Sequence, residues 1–471
     1  MLTTTDETYD LIVIGSGPAG QKAAVQAAKS KKKVVLIEKS LKFGGSCVHT
    51  GTIPSKTLRE NALRIQKMRE NAEIANVTLN EDLEIATLIK RLERVLNEHD
   101  KYMRQQLHRN NITMLHGRAK FIDKNQMELT DVHGEKQLLG FRAAMIATGS
   151  HPRNPNNIEI DHEHLFDSDS ILSMLYLPKS LTVLGGGVIA SEYASIFQAL
   201  GVEVTMVDKY PTPLGFLDKD LVDRFVHAFE TMGGKWLGGK TVQNARWNGF
   251  NKTITTCSDG TVIQSDKLLC AAGRFANVET LDITAAGIEL ADTGMIKVDE
   301  NLATSTSNIF AAGDVIGHPS LASASMEQGR RAACNAFNIP IGKTNTLIPS
   351  GIYSIPELSA VGLTEREAKL KFQNITVGRA DFKEIARGQI SGIQDGMLKI
   401  ICDGNGKKLL GVMIVGEGAT ELIHIGQMAL LSEANVDIFV ESIFNFPTLA
   451  EAYRVAALNV IGQRVEKPEA F

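Results

Sequence analysis

The sequence predicts an α/β protein with two Rossmann-like domains followed by a C-terminal α+β domain. Two glycine-rich loops, at residues 15–20 and 185–190, each follow a short apolar strand and precede a helix and a second strand. Such a unit builds a parallel sheet with helices packed on its faces. After residue 347 the pattern changes to strands and helices without a loop of this kind. A chain of 471 residues has room for about three domains.

The composition is that of an ordinary globular protein, with 43% hydrophobic and 22% charged residues. A net charge of −4 gives no reason to expect a nucleic acid or an anionic membrane as partner. Residues 1–10 do not have the pattern of a secretory signal, and no apolar run is long enough to span a bilayer. The five cysteines and eleven histidines show no metal-ligand spacing, so we expect no metal site. Scattered cysteines are typical of a reducing cytoplasm, where we place the protein.

The first glycine-rich loop has the full fingerprint of a dinucleotide-binding site. Its glycines permit a tight turn, close approach of the backbone to a pyrophosphate and close helix–strand packing; they are Gly15, Gly17 and Gly20. The pattern predicts a strand, a helix and a second strand around the loop, at residues 9–14, 21–29 and 33–37. Glu38 follows, eighteen residues after the last glycine, where a carboxylate accepts hydrogen bonds from a ribose.

The second loop repeats this arrangement, and the matching positions are Gly185, Gly187 and Ala190. A strand, a helix and a second strand are again predicted, at 181–184, through residue 200 and at 202–207. Asp208 follows Ala190 by eighteen residues, the same offset as in the first unit. Two units with matched spacing predict two dinucleotides bound to one chain.

Hydrophobic periodicity predicts the other elements. Residues 57–110 have the spacing of two amphipathic helices, the second over 83–107. Residues 126–139 alternate around a turn at 132–134 and predict a small hairpin. Further strands are predicted at 143–147, 267–270, 308–312, 375–377, 397–401 and 409–415. Further helices are predicted at 321–335, 421–434 and 448–458.

Residues 44–56 read Gly-Gly-Ser-Cys-Val-His-Thr-Gly-Thr-Ile-Pro-Ser-Lys. This segment resembles the redox-active segment of the flavin-dependent disulfide reductases, the pyridine nucleotide-disulfide oxidoreductase family. In that family the segment is Gly-Gly-x-Cys-x4-Cys-x2-Pro-x-Lys, and its two cysteines form a disulfide beside the flavin. Here Cys47 is present and Thr52 replaces the second cysteine. A hydroxyl cannot form a disulfide, so the usual disulfide chemistry is absent.

The resemblance implies that FAD binds the first unit and a nicotinamide nucleotide the second. The further residues implied to bind these cofactors are Gly45, Ser46, Thr148, Gly149, Gly273 and Asp314, the last through the ribityl chain of the flavin. The implied domains are an FAD-binding domain in two parts, an NAD(P)-binding domain between them and an interface domain; their limits are 1–150 and 275–346, 151–274, and 347–471. The interface domain implies a homodimer or a higher homo-oligomer.

The same resemblance implies catalytic roles for Lys56, Glu192 and Glu451. Lys56 and Glu192 occupy positions that form an ion pair beside the flavin, where a cation stabilises developing negative charge. Glu451 closes the stretch Phe-Asn-Phe-Pro-Thr-Leu-Ala-Glu, which in the disulfide reductases reads His-x-His-Pro-Thr-x-x-Glu and reaches the partner's flavin site. Phe446 replaces the acid–base histidine of that motif. Cys47 is reactive if a helix N-terminus lowers its pKa and inert if it is buried, and both interpretations stay open.

The changes at Thr52 and Phe446 and the stretch Glu-Ala-Tyr-Arg-Val-Ala-Ala-Leu-Asn resemble the soluble pyridine nucleotide transhydrogenase family. The resemblance runs from about residue 9 to residue 459 and implies hydride exchange between NAD(H) and NADP(H). Asp208 stands against it, because an acid there favours a free ribose 2′-hydroxyl over a 2′-phosphate; Lys209 is the neighbouring cation that would offset this charge. One alternative is an NADH-specific flavoprotein reductase that passes electrons to a quinone, a dye or oxygen. The other is a flavin-binding redox-sensing module with low turnover.

Overall fold

The computed structural model of the protein describes residues 3–72, 85–393 and 395–464. Its strands are β1 (Thr3–Ile14), β2 (Val34–Glu38), β3 (Thr113–Phe121), β4 (Gln126–Asp131), β5 (Lys136–Ile146), β6 (Ser150–Pro152), β7 (Leu165–Asp167), β8 (Ser180–Leu184), β9 (Glu203–Asp208), β10 (Lys235–Gly238), β11 (Val242–Trp247), β12 (Thr253–Cys257), β13 (Val262–Ser265), β14 (Lys267–Cys270), β15 (Arg274–Ala276), β16 (Ile309–Ala311), β17 (Ser350–Ile352), β18 (Leu358–Gly362), β19 (Ile375–Asp381), β20 (Met397–Asp403) and β21 (Leu409–Val415). Its helices are α1 (Pro18–Lys29), α2 (Gly45–His49), α3 (Thr52–Glu70), α4 (Ile85–Arg109), α5 (Val188–Ala199), α6 (Lys219–Thr231), α7 (Ala322–Ala336), α8 (Glu365–Lys371), α9 (Ala386–Ser391), α10 (Ala419–Leu431), α11 (Ile438–Glu441) and α12 (Glu451–Ile461). Short 3₁₀ turns lie at Ile171–Ser173, Ile283–Ala286, Asp314–Ile316 and Phe382–Glu384.

The first sheet joins parallel and antiparallel strands. β1 pairs in parallel with β2 and β5, and β2 pairs in parallel with β3. The antiparallel strand β4 then connects β3 to β5. The hairpin and the strand that were predicted separately at 126–139 and 143–147 share one strand, because β5 continues from Lys136 to Ile146.

Small residues let two helices approach closely on one face of this sheet. The alanine-rich α1 packs against α7, and the buried side chains between them and the sheet include Ala23, Ala27 and Ala333. A Cβ atom on Gly329 of α7 would lie 2.0 Å from the carbonyl oxygen of Ala19, so glycine is required at this crossing. The long helix predicted over 83–107 is α4; residues 83 and 84 lie outside the described residues.

The second unit forms a five-stranded sheet in the order β10-β9-β8-β14-β7, and every pairing in it is parallel. β8 lies in the middle, so the glycine-rich loop after it emerges between the carboxyl ends of β9 and β14. This edge is where ligands bind in open α/β sheets. A small antiparallel sheet of β11, β12 and β13 lies beside it.

The chain then returns to the first sheet, where β16 pairs in parallel with β5. This return supports the predicted division into parts 1–150, 151–274, 275–346 and 347–471, whose limits stay a prediction. Residues 1, 2, 73–84, 394 and 465–471 in these parts lie outside the described residues.

The C-terminal sheet is antiparallel, in the order β17-β18-β21-β20-β19. Tyr453 joins two of its covering helices, since its hydroxyl donates to the carbonyl oxygen of Leu422 at 2.8 Å and accepts the N–H of Gly426 at 3.0 Å. The helix predicted from residue 448 begins at Glu451, because the hydroxyl of Thr448 donates to the carbonyl oxygen of Asn445 at 2.8 Å and the chain makes a turn first. Among the helices described, none is long and apolar enough to cross a membrane.

Candidate active site

The first glycine-rich loop turns from the end of β1 into α1. A Cβ atom on Gly15, whose φ is +100°, would lie 2.4 Å from the carbonyl oxygen of Ala147. One on Gly20 would lie 1.9 Å from the carbonyl oxygen of Gly15, so both positions require glycine for packing. Gly17 differs, because no described atom lies within 4 Å of a Cβ built there. Open space beside the N–H groups of a helix N-terminus is what a pyrophosphate needs.

Glu38 ends β2 beside this loop and is 5% exposed. Its carboxylate accepts hydrogen bonds from the N–H and the hydroxyl of Ser16, at 2.9 and 2.6 Å, and from the N–H of Ser40 at 2.9 Å. The hydroxyl of Ser16 accepts in turn the N–H of Gly44 at 2.8 Å. The protein itself therefore holds the carboxylate of the first unit in one position.

The second loop repeats the geometry of the first. A Cβ on Gly185, whose φ is +122°, would lie 2.7 Å from the carbonyl oxygen of Ala271. Gly187 precedes α5, and in the described part of the chain nothing lies within 4 Å of a Cβ built on it. The buried Ala190 fits where the first unit needs Gly20, so this loop is packed less tightly.

Asp208 ends β9 and is only partly buried. One of its carboxylate oxygens accepts the N–H of Tyr210 at 3.0 Å. The ammonium of Lys209 lies 5.0 Å from the centre of the Tyr210 ring. Among the described residues Lys209 forms no ion pair with Asp208, so direct pairing does not offset the charge of this carboxylate.

A single cavity of about 2830 Å³ joins the two loops. The predicted site residues that line it are Gly15, Gly17, Glu38, Gly45, Ser46, Lys56, Thr148, Gly149, Gly185, Gly187, Glu192, Asp208, Lys209, Gly273 and Asp314. Gly20 and Ala190 pack behind the loops instead. Glu451 is the one catalytic candidate outside this lining, and its carboxylate accepts the N–H of Thr448 at 3.4 Å.

An ion pair lies in the wall of the cavity where α3 packs against α5. The ammonium of Lys56 donates to the carboxylate of Glu192 at 2.7 Å, and the side chain of Glu192 is 6% exposed. The second carboxylate oxygen of Glu192 accepts the N–H of Tyr353 at 2.9 Å. The ring centre of Tyr353 lies 4.9 Å from the Lys56 ammonium. Tyr353 was not predicted as a site residue, because it lies 161 residues from Glu192 and belongs to no motif in the sequence.

Cys47 and Thr52 lie next to this ion pair. Burial raises the pKa of the Cys47 thiol above its usual value, and the hydrogen bond with Thr52 and the charge of Lys56 lower it less. All cysteines in the described residues are free thiols. A raised pKa leaves the thiol protonated at neutral pH, which favours the inert interpretation of Cys47.

Asp314 lies at the start of a 3₁₀ turn and lines the same cavity as the first loop. Its carboxylate accepts the hydroxyl of Ser150 at 3.1 Å, and the same hydroxyl oxygen accepts Nε of Arg274 at 2.8 Å. Asn277 holds the neighbouring chain, because its side-chain amide donates to the carbonyl oxygen of Thr148 at 2.9 Å. Arg274 and Asn277 were not predicted as site residues, although Arg274 directly follows the predicted Gly273.

Phe446 lies in the C-terminal domain away from the cavity lining and is 74% exposed on the single chain. The neighbouring Ile443 is 97% exposed. Large exposed apolar side chains that lie close together are typical of a surface that another protein covers.

Comparison with known proteins identifies the family. A model described as pyridine nucleotide-disulphide oxidoreductase matches residues 9–329, and the model of the dimerisation domain of the same family matches residues 348–457. The chain belongs to the pyridine nucleotide-disulphide oxidoreductase family. Its members are oxidoreductases with FAD as cofactor, and the C-terminal domain is their dimerisation domain, so the protein is a homodimer.

Curated relatives place the chain more narrowly within the family. It is 41% identical to a soluble pyridine nucleotide transhydrogenase of Mycobacterium tuberculosis, over 97% of each chain. It is 40% identical to the soluble pyridine nucleotide transhydrogenase of Colwellia psychrerythraea, over 96% of this chain and 97% of the relative. The chain therefore belongs to the soluble pyridine nucleotide transhydrogenase group.

Solved structures agree on the fold. The HOCl-induced flavoprotein disulfide reductase RclA of Escherichia coli is 26% identical and superposes with a TM-score of 0.86, over 96% of this chain and 99% of that one. LpdA of Mycobacterium tuberculosis has the same fold, with a TM-score of 0.88 at 24% identity over 95% of this chain and 99% of that one.

The first unit fits the FAD that this family binds. The open space at Gly17 and the start of α1 accommodate a pyrophosphate, and the fixed carboxylate of Glu38 lies where a ribose hydroxyl donates. A Cβ on Gly45 would lie 3.1 Å from the Cα of Gly17, so these two glycines approach each other closely beside the open space of the first loop. These groups are the ones that a dinucleotide-binding site needs.

Proposed function

We propose that the protein is a FAD-dependent pyridine nucleotide transhydrogenase that exchanges hydride between NAD(H) and NADP(H) without a redox-active disulfide. The observation that carries the proposal is one cavity that joins a flavin-type unit to a single nicotinamide-type unit, with Thr52 in place of the second thiol. The relatives named soluble pyridine nucleotide transhydrogenase support it. When bound, FAD supplies the acceptor and donor of the hydride, and the protein positions it.

Lys56 and Glu192 are the proposed catalytic pair. The ammonium of Lys56 lines the cavity with its charge held by a carboxylate that is almost fully buried. A cation fixed in this way needs no reorganisation when negative charge develops beside it, which is how preorganised groups lower a barrier. Tyr353 is the proposed positioning residue, because its N–H fixes the carboxylate that holds Lys56.

The proposed absence of thiol chemistry depends on two positions. Thr52 cannot form a disulfide with Cys47, and Phe446 cannot exchange a proton as a histidine does. In the homodimer we place Phe446 and Glu451 at the partner's cavity, where the exposed Phe446 ring covers apolar surface and Glu451 orients its neighbours. We also place the reaction in the cytoplasm, because the described cysteines are unpaired.

Both nicotinamide nucleotides must use one cavity, because FAD occupies one of the two glycine-rich units. We therefore expect a ping-pong reaction in which the two nucleotides compete. Steady-state rates of hydride transfer from NADPH to a thio analogue of NAD⁺ should give parallel double-reciprocal lines, with inhibition by either nucleotide at high concentration. Intersecting lines would require both nucleotides to be bound at once and would contradict the shared cavity.

One observation favours a second candidate, an NADH-specific flavoprotein reductase. Asp208 carries no ion pair among the described residues, and an unpaired carboxylate at this position repels a 2′-phosphate. The two candidates differ in one measurement. If the holoenzyme oxidises NADH with a quinone, a dye or oxygen but transfers no hydride between NAD(H) and NADP(H), the second candidate is correct.

A further inference from the structure

The ribose end of the second unit contains a lysine that no motif points to. β9 and β10 end side by side, with Gly238 opposite Asp208 in the parallel register. The two chains stay hydrogen-bonded beyond the strands, because the N–H of Lys240 donates to the carbonyl oxygen of Asp208 at 2.9 Å. The N–H of Gly239 donates likewise to the carbonyl oxygen of Tyr210 at 3.0 Å. The backbone of Lys240 is therefore fixed next to Asp208, and Lys240 lines the same cavity.

The side chain of Lys240 is held by a neighbouring turn. Its ammonium donates to the carboxylate of Asp259 and, at 3.3 Å, to the hydroxyl of Thr261. Both partners lie in the turn that joins β12 to β13, and neither belongs to the described lining of the cavity. The side chain of Lys240 is 32% exposed, so it is not locked in the core. The ion pair with Asp259 holds the ammonium at the edge of the cavity.

The charges at this end of the cavity explain why a second lysine matters. NAD(H) presents a ribose hydroxyl to Asp208, whereas NADP(H) presents a phosphate of about two negative charges. Lys209 alone supplies one positive charge, which only cancels the one negative charge of Asp208. A phosphate in proteins is bound through charge-assisted hydrogen bonds from Lys or Arg side chains. Lys209 and Lys240 together provide two positive charges against the one carboxylate of Asp208, and Asp259 balances Lys240 only while the two are paired.

We propose that Lys240 determines specificity: together with Lys209 it binds the 2′-phosphate of NADP(H), and Asp259 holds it when NAD(H) occupies the cavity. This inference rests on the proposed function, because it requires NADP(H) as a substrate. Lys240 exchanges one anionic partner, Asp259, for another, the phosphate. Asp259 loses its ion pair when NADP(H) binds, but its side chain is 45% exposed and stays hydrated, so one cavity accepts both nucleotides despite Asp208.

The test is a binding measurement on the FAD-containing enzyme that does not depend on turnover. Isothermal titration with adenosine 2′,5′-bisphosphate and with 5′-AMP reports the 2′-phosphate separately from the rest of the nucleotide. Lys240→Met should weaken the bisphosphate by about 10-fold, the size of a lost charge-assisted hydrogen bond, and leave 5′-AMP unchanged. Asp259→Asn should tighten the bisphosphate severalfold, because the competing carboxylate is gone. Lys240→Arg should retain its binding.

A matched control lies just before β12. Lys252 pairs with Asp266 at 2.7 Å, is 35% exposed and does not line the cavity in the described structure. Lys252→Met should leave both ligands unchanged. Equal weakening of bisphosphate by Lys240→Met and Lys252→Met, or equal loss of both ligands in Lys240→Met, would overturn the role of Lys240. If Asp259→Asn binds the bisphosphate no more tightly than wild type, the role of Asp259 is overturned.

The wild-type enzyme separates this inference from the proposed function. If it exchanges hydride between NAD(H) and NADP(H) while Lys240→Met binds the bisphosphate as well as wild type, only the role of Lys240 fails. If wild type neither binds the bisphosphate nor exchanges hydride, the proposed function fails, and the inference about Lys240 fails as well.

Discussion

The unit around residues 15–20 and the unit around residues 185–190 share one local architecture. In each, the first glycine has a positive φ, of +100° or +122°, and lies against the carbonyl oxygen of an alanine that follows a neighbouring strand. In each, the second glycine faces open space within the described structure and precedes a helix of 12 residues. Both loops therefore provide the same place for a pyrophosphate.

The two units differ at their carboxylates and at their third loop position. Glu38 is 5% exposed and fixed by three hydrogen bonds from Ser16 and Ser40, and Gly20 cannot be replaced without a clash. Asp208 is partly exposed, accepts one backbone N–H and has two lysines close to it. A rigid site suits a cofactor that stays bound, and a less rigid site with two lysines at its edge suits substrates that exchange. Each prediction below tests this difference.

The largest expected effects come from filling the open space at the second glycine of each unit. Gly17→Val should yield a colourless protein that FAD does not reconstitute, because a Cβ at this position meets no described atom of the protein and the side chain fills the space that the pyrophosphate needs. Gly187→Val should stay yellow and lose binding of NADH and NADPH. Flavin absorbance and nucleotide titration measure the two losses.

The control for this pair is Gly342, which also has open space around it in the described structure and does not line the cavity. Gly342→Val should keep both FAD and nucleotide binding. If Gly187→Val instead loses FAD and keeps NADH, the assignment of the two units is reversed.

Removal of the cation at the junction of the units should have the next largest effect. Lys56→Met should lower kcat by roughly 100- to 1000-fold, the usual effect of losing one preorganised electrostatic group, with FAD content unchanged. Lys67 lies on the same helix and pairs with Glu417 at 2.7 Å on the exposed surface. Lys67→Met should change kcat little, since exposed ion pairs contribute little to stability. Stopped-flow reduction by NADH at saturating concentration measures the step directly, and a wild-type rate in Lys56→Met would refute its role.

The two loops could be predicted from the sequence because their constraints are local. Glycine is required wherever a Cβ would clash, as at Gly15 and Gly20, and a strand that ends in an acid is visible in the residue order. The ion pair of Lys56 with Glu192 was predicted as well, through the motifs that contain each residue. The structure gives the geometry of this ion pair, and the catalytic role of the pair stays a prediction.

Features that depend on long-range contacts could not be predicted. Tyr353 reaches Glu192 only because the C-terminal domain packs against α3 and α5. Strands β17 and β18 are short and have no strong alternation, so the pattern did not reveal them. Lys240 meets Asp259 because the antiparallel pairing of β11 with β12 places Val242 opposite Cys257, and nothing in the spacing of these residues indicates that pairing.

The carboxylates of the two units should respond differently to neutralisation. Asp208→Asn should improve kcat/KM for NADPH by about 10-fold and lower it less for NADH, because a like charge next to the 2′-phosphate is removed. Lys209→Ala should weaken NADPH selectively. Glu38→Gln should leave the ratio of NADPH to NADH use unchanged, because that carboxylate lies in the other unit. A change in this ratio with Glu38→Gln, or no change with Asp208→Asn, would contradict the difference between the two units.

The smallest expected effect belongs to Cys47, which lies between the two units. Burial raises the pKa of its thiol, so the thiolate that disulfide chemistry needs is absent near neutral pH. Half-deprotonation would lie above the usual thiol pKa, so the rate from about pH 6 to about pH 8 should not follow this group. Cys47→Ser should change kcat by less than about twofold, since it removes no charge and the hydroxyl can keep the hydrogen bond to Thr52. The enzyme should also lack the long-wavelength thiolate-to-flavin absorption band. A large loss of transhydrogenation in Cys47→Ser, or efficient reduction of lipoamide or glutathione disulfide by the wild type, would show that the thiol takes part and that the two nucleotide units alone do not account for the reaction.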